Sequence, residues 1–377
     1  MSYSLVNSTS FGNDNWCLNL QPIYQHSLLT SLSNGQVHQL DWQTGKSVAH
    51  IETGEVAINR LKIINNDHEN GSTYATATMG AVKVWDIRSN NCLATITNDK
   101  NAPFLSLDSR HNMLACGTEL SGSDAELHIY DVRKWDSPLR SLVDSHHDDI
   151  TDISFHPSDP NVLMSGSTDG YTNIYDLRQA DEEDALHQVI NFASIHSCGW
   201  LAPRRIFTLS HMETFAIHEL NDKSDEAKEP RPVEFNDVRD SWGCDYVVDI
   251  HPGYVACGNS QEGTGKLRIL PLQGELVDTN NVVDINAAHG DEVVRDVLVP
   301  APNSKLLYSC GEDGNVKMWE NKSGPLNVPK GFWDYSQLLN VLDEQPVVVA
   351  EEPKETKHSK KKHNKTKKSK KQRFKPY

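Results

Sequence analysis

Three residues in the C-terminal third of the chain have the chemistry of a hydrolytic triad. His289, Ser309 and Asp313 supply an imidazole base, a hydroxyl nucleophile and a carboxylate, which together can activate serine for acyl transfer. The same residue types also form buried hydrogen-bond networks. The elements that position the three side chains therefore decide between catalysis and structure.

Two shorter segments have the composition of ligand sites. Residues 263–266 (Gly-Thr-Gly-Lys) partly match a phosphate-binding loop, but that motif needs a glycine and a hydroxyl where the chain has Ser260 and Leu267. Residues 146–149 (His-His-Asp-Asp) offer metal ligands, although adjacent side chains of a strand point to opposite faces. We therefore expect no catalytic residues, no metal site and no cofactor.

The composition is that of a globular chain in a reducing compartment. Of 377 residues, 37% are hydrophobic, and no apolar run approaches the roughly 18 residues of a membrane span. The seven cysteines are an odd number without a Cys-x-x-Cys pair, and the N-terminus is polar. These features indicate neither a disulfide framework nor a secretory signal, and they favour the cytosol or the nucleus.

A repeated strand pattern organises the chain. A turn followed by a strand with alternating side chains occurs seven times, and an acidic residue usually ends the strand. Glycine stands at the start of five copies, where a tight hairpin needs positive φ. The residue before the acidic position recurs at intervals of 45, 45, 45, 43, 52 and 49 residues: Leu40, Trp85, Tyr130, Tyr175, His218, Leu270 and Trp319. Such intervals are typical of four-stranded blades.

Two of these copies resemble WD repeats: residues 167–176 (Ser-Thr-Asp-Gly-Tyr-Thr-Asn-Ile-Tyr-Asp) and 311–320 (Gly-Glu-Asp-Gly-Asn-Val-Lys-Met-Trp-Glu). The resemblance covers about residues 12–325 and implies an all-β fold, a single seven-bladed WD-repeat β-propeller. A ring of seven stacked sheets removes most exposed edges. With its short Lys-rich tail, the chain is most similar to the WD repeat-containing protein 89 group.

We divide the chain into three parts. The propeller is expected over residues 1–330, with the alternating segment 3–6 as an N-terminal strand that closes the last blade. Residues 331–345 are expected to form a short helix or packing segment, and 346–377 a disordered Lys-rich tail. The polar segment 221–241, which lengthens one repeat, is expected to be a surface loop.

The WD-repeat resemblance implies a structural role for the triad-like residues. In that family a His, a Ser or Thr, an Asp and a Trp of one blade form a hydrogen-bonded network. Five blades depart from this pattern, with Asn34 and Met79 at the turn Asp position and His218 at the Trp position, so apolar packing is expected to hold them. The matching residues are His147, Ser165, Asp169 and Tyr175 in blade four, and His289, Ser309, Asp313 and Trp319 in blade seven.

The resemblance also places a contact ring at the rim of the central channel, where the innermost strand of each blade begins. Alignment of the innermost strands puts aromatic, Arg and His residues at or next to this rim. Exposed aromatic and Arg side chains are typical of interface hot spots. The predicted partner-binding residues are Trp16, Arg60, Phe104, Asp152, His196, Tyr246 and Arg295.

A second surface is suggested by three arginines that follow a strand. Family members that dock on the propeller adaptor of cullin-type ubiquitin ligases carry Trp-Asp-x-Arg. Residues 85–88 match this motif, whereas 130–133 and 175–178 differ in the aromatic residue. The possible ligase-adaptor contacts are Arg88, Arg133 and Arg178. An arginine at this place can also simply pair with a nearby acid.

The charge is divided unevenly along the chain. Residues 351–377 hold 12 of the 36 Lys and Arg residues and 3 of the 52 Asp and Glu residues, which leaves 24 basic and 49 acidic residues in 1–350. The tail is predicted to be an import signal, with possible RNA contact through the tail only. The residues of this signal are Lys360, Lys361, Lys362, Lys367, Lys368, Lys370 and Lys371.

Two functions remain in competition. The first is a non-enzymatic scaffold or escort that binds a basic protein in ribosome assembly or chromatin-related complexes. Its expected location is the nucleus, with the nucleolus as a further location and a cytoplasmic pool. The acidic body favours this, because opposite charge steers association. The alternative is a substrate receptor of a cullin-type ubiquitin ligase. In either case we expect a monomer within a larger complex, without membrane contact.

Overall fold

The computed structural model describes residues 2–23, 27–64, 71–223, 232–263, 265–301, 303–328 and 338–343. These residues form seven antiparallel sheets, the blades of a β-propeller, with two short helices. The innermost strands pack against each other in most pairs of neighbouring blades. The predicted seven-bladed WD-repeat β-propeller is confirmed. In the described part of the chain, no helix has the length and apolarity needed to cross a membrane.

Blades one to four follow the N-terminal strand in chain order. The first strand, β1 (Tyr3–Ser10), precedes blade one, which contains β2 (Cys17–Ile23), β3 (Ser27–Leu32), β4 (Gln36–Asp41) and β5 (Ser47–Glu52). Blade two contains β6 (Arg60–Ile64), β7 (Thr73–Ala77), β8 (Val82–Asp86) and β9 (Asn91–Ile96). Blade three contains β10 (Phe104–Arg110), β11 (Met113–Thr118), β12 (Ala125–Asp131) and β13 (Arg140–His146). Blade four contains β14 (Ile150–Phe155), β15 (Val162–Ser167), β16 (Tyr171–Asp176), α1 (Glu182–Ala185) and β17 (Leu186–Asn191).

The remaining blades include the insertions. Blade five contains β18 (Ile195–Ala202), β19 (Arg205–Ser210), β20 (Thr214–Glu219) and β21 (Val233–Asp237), and α2 (Arg239–Trp242) follows it. Blade six contains β22 (Tyr246–His251), β23 (Tyr254–Asn259), β24 (Lys266–Gln273), β25 (Leu276–Val277) and β26 (Val283–Asn286), with both short strands paired to β24. After β27 (Ala288–Asp291), blade seven contains β28 (Val294–Leu298), β29 (Leu306–Gly311) and β30 (Asn315–Asn321).

The N-terminal strand completes blade seven. β1 pairs with β30 in antiparallel register, with Tyr3 opposite Asn321 and Leu5 opposite Trp319. The sheet order is therefore β1-β30-β29-β28, so the first strand of the chain is the outer strand of the last blade. This pairing joins residues more than 300 positions apart and closes the ring without an extra covalent link.

In blades one and seven, the hairpin between the second and third strands requires glycine because it lies very close to another stretch of backbone. Gly35 and Gly314 have φ of 84° and 69°, a region that is costly for residues with a Cβ. A Cβ at Gly35 would overlap the carbonyl of Glu55, and one at Gly314 would overlap that of Gly12. Glycine therefore lets the hairpin approach the connection that leads from its own blade to the next one.

The hydrophobic core lies between the faces of adjacent blades. One cluster joins Tyr308 and Met318 of blade seven to Leu28 of blade one, and the next joins Leu29 of blade one to Trp85 of blade two. A single blade cannot cover both of its faces, so each buries them against two neighbours. The rigid ring that results holds the loops at its two ends.

Two segments outside the repeat pattern differ from the expectation or extend it. The prediction that 221–241 is a polar surface loop is wrong over 233–241, while residues 224–231 of that segment lie outside the described part of the chain. β21 is the outer strand of blade five, and Trp242 of α2 packs on Phe215 with ring centroids 5.4 Å apart. The sequence signal of that strand is weak because only alternate residues face the blade.

The C-terminal segment is described only at 338–343. These six residues contain no helix, and Val341 and Leu342 are buried against blades four and five. The backbone N–H of Val341 donates to the carboxylate of Asp159 at 2.9 Å, and Arg204 donates to the carbonyl of Val341 at 3.1 Å. The rest of the predicted segment 331–345, and the tail 346–377 with its lysines, lie outside the described residues.

Candidate protein-interaction surface

The triad-like residues of blade seven form a closed network. The Nδ1 of His289 lies 2.7 Å from an Asp313 carboxylate oxygen, and its Nε2 lies 2.7 Å from Oγ of Ser309. The indole N–H of Trp319 also donates to Ser309 Oγ, at 2.9 Å. Burial lowers the pKa of His289 in spite of the Asp313 carboxylate. Ser309 is fully buried behind these groups, so a substrate cannot reach its hydroxyl in this conformation.

The network of blade four contains His146, and the prediction of His147 is wrong by one residue. The ring of His146 lies 2.9 Å from Asp169 and 2.8 Å from Ser165, and Tyr175 completes the contact with Ser165 at 3.3 Å. His147 is exposed, and its ring pairs with Asp124 on blade three. Since neighbouring residues point to opposite sides, the two histidines have different partners.

Two further blades keep part of the network, so the prediction that they rest on apolar packing alone is incomplete. In blade two the indole N–H of Trp85 donates to Thr76 Oγ1 at 3.0 Å. In blade five Oγ1 of Thr208 lies 2.9 Å from Nε2 of His218, which takes the place of the indole. The signal in the sequence is a threonine nine or ten residues before each of these positions.

Polar side chains in the channel join the innermost strands. Asp296 accepts from the backbone N–H of Leu20 at 2.7 Å, and Asp152 accepts from that of Cys198 at 3.0 Å. Each of these bonds crosses from one blade to the next. Burial raises the pKa of Asp296 to about 7, and the nearby carboxylate of Asp249 adds to the increase. The channel lining is therefore mainly a structural device that fixes the relative position of the blades.

We define the upper face as the end of the ring that carries the hairpins between the second and third strands and the connections between blades. The innermost strands begin at this face. Four of the predicted rim residues are accessible there. Trp16 is 43% exposed, and the guanidinium of Arg295 lies over its ring at 5.7 Å from the centroid. Arg60 forms an ion pair with Asp152 at 3.4 Å, and His196 is exposed at the start of β18.

The other three predicted rim residues have structural roles, which corrects the prediction. Phe104 is completely buried among side chains of blades two and three. Asp152 is buried and holds Ser197 and Cys198, while the hydroxyl of half-buried Tyr246 accepts from the N–H of Val294 at 2.8 Å. Phe104 is the first residue of β10 and pairs with Thr118, the position that buried Ile195 and Val294 hold in two other blades. In those blades the next residue, His196 or Arg295, is the exposed one.

Sequence reasoning missed several exposed apolar residues of the upper face. Met79 and Met212 are 61% and 63% exposed at the hairpin tips of blades two and five. Met79 and Met212 hold the turn position that Asp169 holds in blade four. Each of these residues stands six positions before the repeat residue that precedes the end of its strand. Val56 and Leu120 are exposed on neighbouring loops. A methionine in place of the turn aspartate is a signal that could have indicated this surface, because flexible Met side chains suit binding surfaces.

Arg88, Arg133 and Arg178 lie at the opposite end of the blades, and each is paired with the aspartate two residues before it. Arg88 lies 4.0 Å from Asp86, and Arg133 forms a 2.5 Å ion pair with Asp131. Arg178 lies 2.8 Å from Asp176 and 3.4 Å from Asp343 of the C-terminal segment. These contacts are satisfied within the chain and do not single out an adaptor surface.

Comparison with known proteins agrees with the fold. The family model for the WD domain, G-beta repeat matches residues 136–176 and 281–320, which include the strands of the two complete networks. An uncharacterized WD repeat-containing protein of Saccharomyces cerevisiae is 62% identical over the whole of both chains. A second one, of Schizosaccharomyces pombe, is 34% identical over 67% of this chain and 80% of its own length. The chain belongs to the WD-repeat family.

Similarity extends to more distant members. The WD repeat-containing protein 89 homolog of Dictyostelium discoideum is 27% identical over 87% of this chain and 89% of its own length. Partial similarity is found to human nucleoporin Nup43, at 32% identity over 33% of this chain. A histone acetyltransferase type B subunit 2 of Candida glabrata is 27% identical over 32% of this chain. A WD-repeat propeller is typically a protein-interaction scaffold.

Proposed function

We propose that the chain is a nuclear scaffold or escort that holds a basic protein partner on its upper face, in ribosome assembly or chromatin-related complexes. The observation that carries this proposal is the exposed apolar set Trp16, Met79 and Met212 on an acidic body. Apolar side chains provide the buried contact of an interface, while the charge steers a basic protein toward it.

The acidic charge lies in residues 1–350, which contain 49 acidic and 24 basic residues. Several carboxylates lie in loops of the upper face, among them Glu119, Asp149, Glu262 and Glu292. Nucleic acid would be repelled by such a body, so a basic protein is the better fit to the ring. The Lys-rich residues 354–375 are the proposed import signal, and they are also the proposed place of any RNA contact.

Affinity purification of the full-length chain from nuclear extract tests the proposal. We expect basic ribosomal, assembly-factor or histone proteins that elute as salt rises, and we expect M79D/M212D to lose them. L139D/L276D is the matched control, because Leu139 and Leu276 are at least as exposed as the two methionines but lie outside the upper face. Purification that returns no basic protein, or equal loss in both variants, would contradict the proposal.

A further inference from the structure

The C-terminal segment 338–343 lies between blades four and five, at the end of the ring opposite the upper face. The innermost strands β14 and β18 begin at the upper face, so the hairpins that follow them lie at the opposite end, and both hairpins contact the segment. The residues that bind it define the lower seam: Ser158, Asp159, Arg178, Arg204 and Lys223. The repeat pattern does not require this seam, because the segment follows the last blade.

Four hydrogen bonds hold the backbone of the segment. Each uses one of its main-chain N–H or carbonyl groups: Leu339 N–H to the Ser158 carbonyl at 2.8 Å, Val341 N–H to the Asp159 carboxylate at 2.9 Å, the Arg204 guanidinium to the Val341 carbonyl at 3.1 Å, and Lys223 N–H to the Leu342 carbonyl at 3.0 Å. Every peptide carries such groups, so the same bonds can hold a segment of another protein.

Two adjacent aliphatic side chains and one acid complete the contact. Val341 and Leu342 are 3% and 0% exposed, within the apolar cluster that joins blades four and five. The guanidinium of Arg178 lies 3.4 Å from the carboxylate of Asp343. The main chain thus supplies affinity, and the side chains select a segment in which an acid follows two aliphatic residues.

Asp159 indicates that the lower seam needs an occupant. The residue is completely buried, and one of its carboxylate oxygens accepts from the backbone and side chain of Asn161. The other oxygen accepts from the N–H of Val341. A buried carboxylate oxygen that loses its donor is costly, so an empty seam is unfavourable and a segment with an N–H at this place stabilises it.

The segment itself is a small ligand. Only two of its six residues are buried, and Leu338 and Leu339 are 71% and 37% exposed. So few anchors give weak binding to a free peptide, because ordering the peptide offsets most of the gain. The covalent link through residues 329–337 raises the local concentration of the segment to the order of millimolar. A partner segment that binds more tightly can therefore replace it.

We propose that the lower seam recognises a short segment of a protein partner with two adjacent aliphatic residues followed by an acid, and that residues 338–343 occupy it until such a segment displaces them. The partner's main chain would make the four hydrogen bonds. Its aliphatic pair would fill the places of Val341 and Leu342, and its acid would pair with Arg178. The inference does not depend on the proposed function, because the seam and the upper face lie at opposite ends of the ring.

A peptide that carries only this pattern tests the inference on the full chain. The probe is a fluorescein-labelled Ser/Ala peptide with Val-Leu-Asp at its centre, and its binding is followed by fluorescence anisotropy. V341D/L342D removes the two buried side chains, so the chain's own segment no longer competes. We expect this variant to bind the probe about tenfold more tightly than the native chain does. A probe with Lys in place of its Asp should bind several-fold more weakly.

L338D/L339D is the matched control variant. It adds the same two charges to the same segment, but at exposed leucines, so its seam stays occupied and its affinity for the probe should equal that of the native chain. Thermal unfolding establishes that both variants are folded. The inference is overturned if V341D/L342D binds the probe no more tightly than the native chain, or if L338D/L339D binds it as tightly as V341D/L342D.

A second measurement uses the native chain and needs no variant. Hydrogen–deuterium exchange is followed by mass spectrometry without the probe and with about 5 mM unlabelled probe, which exceeds the effective concentration of the tethered segment. Displacement should accelerate exchange at the amides of Leu339 and Val341, which are hydrogen-bonded in the seam, and leave exchange in β29 unchanged. Equal exchange of the two amides with and without the probe would overturn the inference, and this result decides the matter if V341D/L342D does not fold.

Discussion

The one-residue difference between His146 and His147 gives a sharp test of how blade four is held together. His146 is fully buried and has two side-chain hydrogen bonds, one to the Asp169 carboxylate and one to the Ser165 hydroxyl. A bond to a charged group contributes about 2 kcal/mol and a neutral bond about 1 kcal/mol, so His146→Ala should reduce the free energy of unfolding by about 3 kcal/mol. His147 is exposed, so His147→Ala should have little or no effect.

Urea unfolding of the full chain, followed by tryptophan fluorescence, measures both variants at pH 7. The two differ by one position and each loses one imidazole, so a change in composition cannot account for a difference between them. A double-mutant cycle with Ser165→Ala should give a coupling of about 1 kcal/mol for His146 and none for His147. Equal destabilisation by the two substitutions, or coupling of Ser165 to His147, would refute the assignment of the network.

Three further predictions concern a buried histidine, a hairpin glycine and the strand-end arginines. Burial lowers the pKa of His156 from 6.5 to about 4, so the free energy of unfolding should decrease as pH falls from 7 to 5. In urea titrations, His156→Gln should make this decrease smaller by about 2 kcal/mol. Gly314→Ala should destabilise by about 2 kcal/mol or more, whereas Gly54→Ala, at φ 74° in open space, should cost about 1 kcal/mol. Arg88→Glu with Arg133→Glu should leave co-purification of a cullin-ligase adaptor unchanged; loss of a bound adaptor would favour the ligase alternative.

The His156 prediction has a defined structural cause. Its Nδ1 accepts from the backbone N–H groups of Ser158 and Asp159, and its Nε2 lies 2.8 Å from the carbonyl of Pro203. Protonation at Nδ1 would break the two accepted bonds. Because the unfolded chain binds the proton near pH 6.5 and the folded chain does not, stability must decrease below that pH. An unchanged slope in the variant would contradict the buried neutral state.

The fold was predictable from the sequence because it depends on a period, and the period survives local variation. Seven strand ends at intervals of 43–52 residues specify the blades even where Leu270 or His218 replaces the usual aromatic residue. β21 was not predicted because an outer strand has one neighbour and needs fewer apolar residues. Its outward side chains, such as Glu234 and Asn236, read as a polar loop.

The surface was less predictable because it depends on which face each side chain meets. Phe104 was assigned to the rim, but it holds the buried position of Ile195 and Val294, one residue before the exposed position of His196 and Arg295. An alignment that is wrong by one residue exchanges the two faces of a strand, and the residue types alone do not reveal it. Met79 and Met212, by contrast, could have been recognised from their position at hairpin tips.

The central claim is that the upper face holds a basic partner, and site-specific crosslinking tests it most directly. A photo-crosslinking residue is placed at Met79 or Met212 of the full chain, with Leu276 as the control outside that face. We expect adducts from nuclear extract at the two methionine positions, formed with proteins of net positive charge and reduced by high salt. Adducts of equal yield at Leu276, or adducts only with acidic proteins, would contradict the claim.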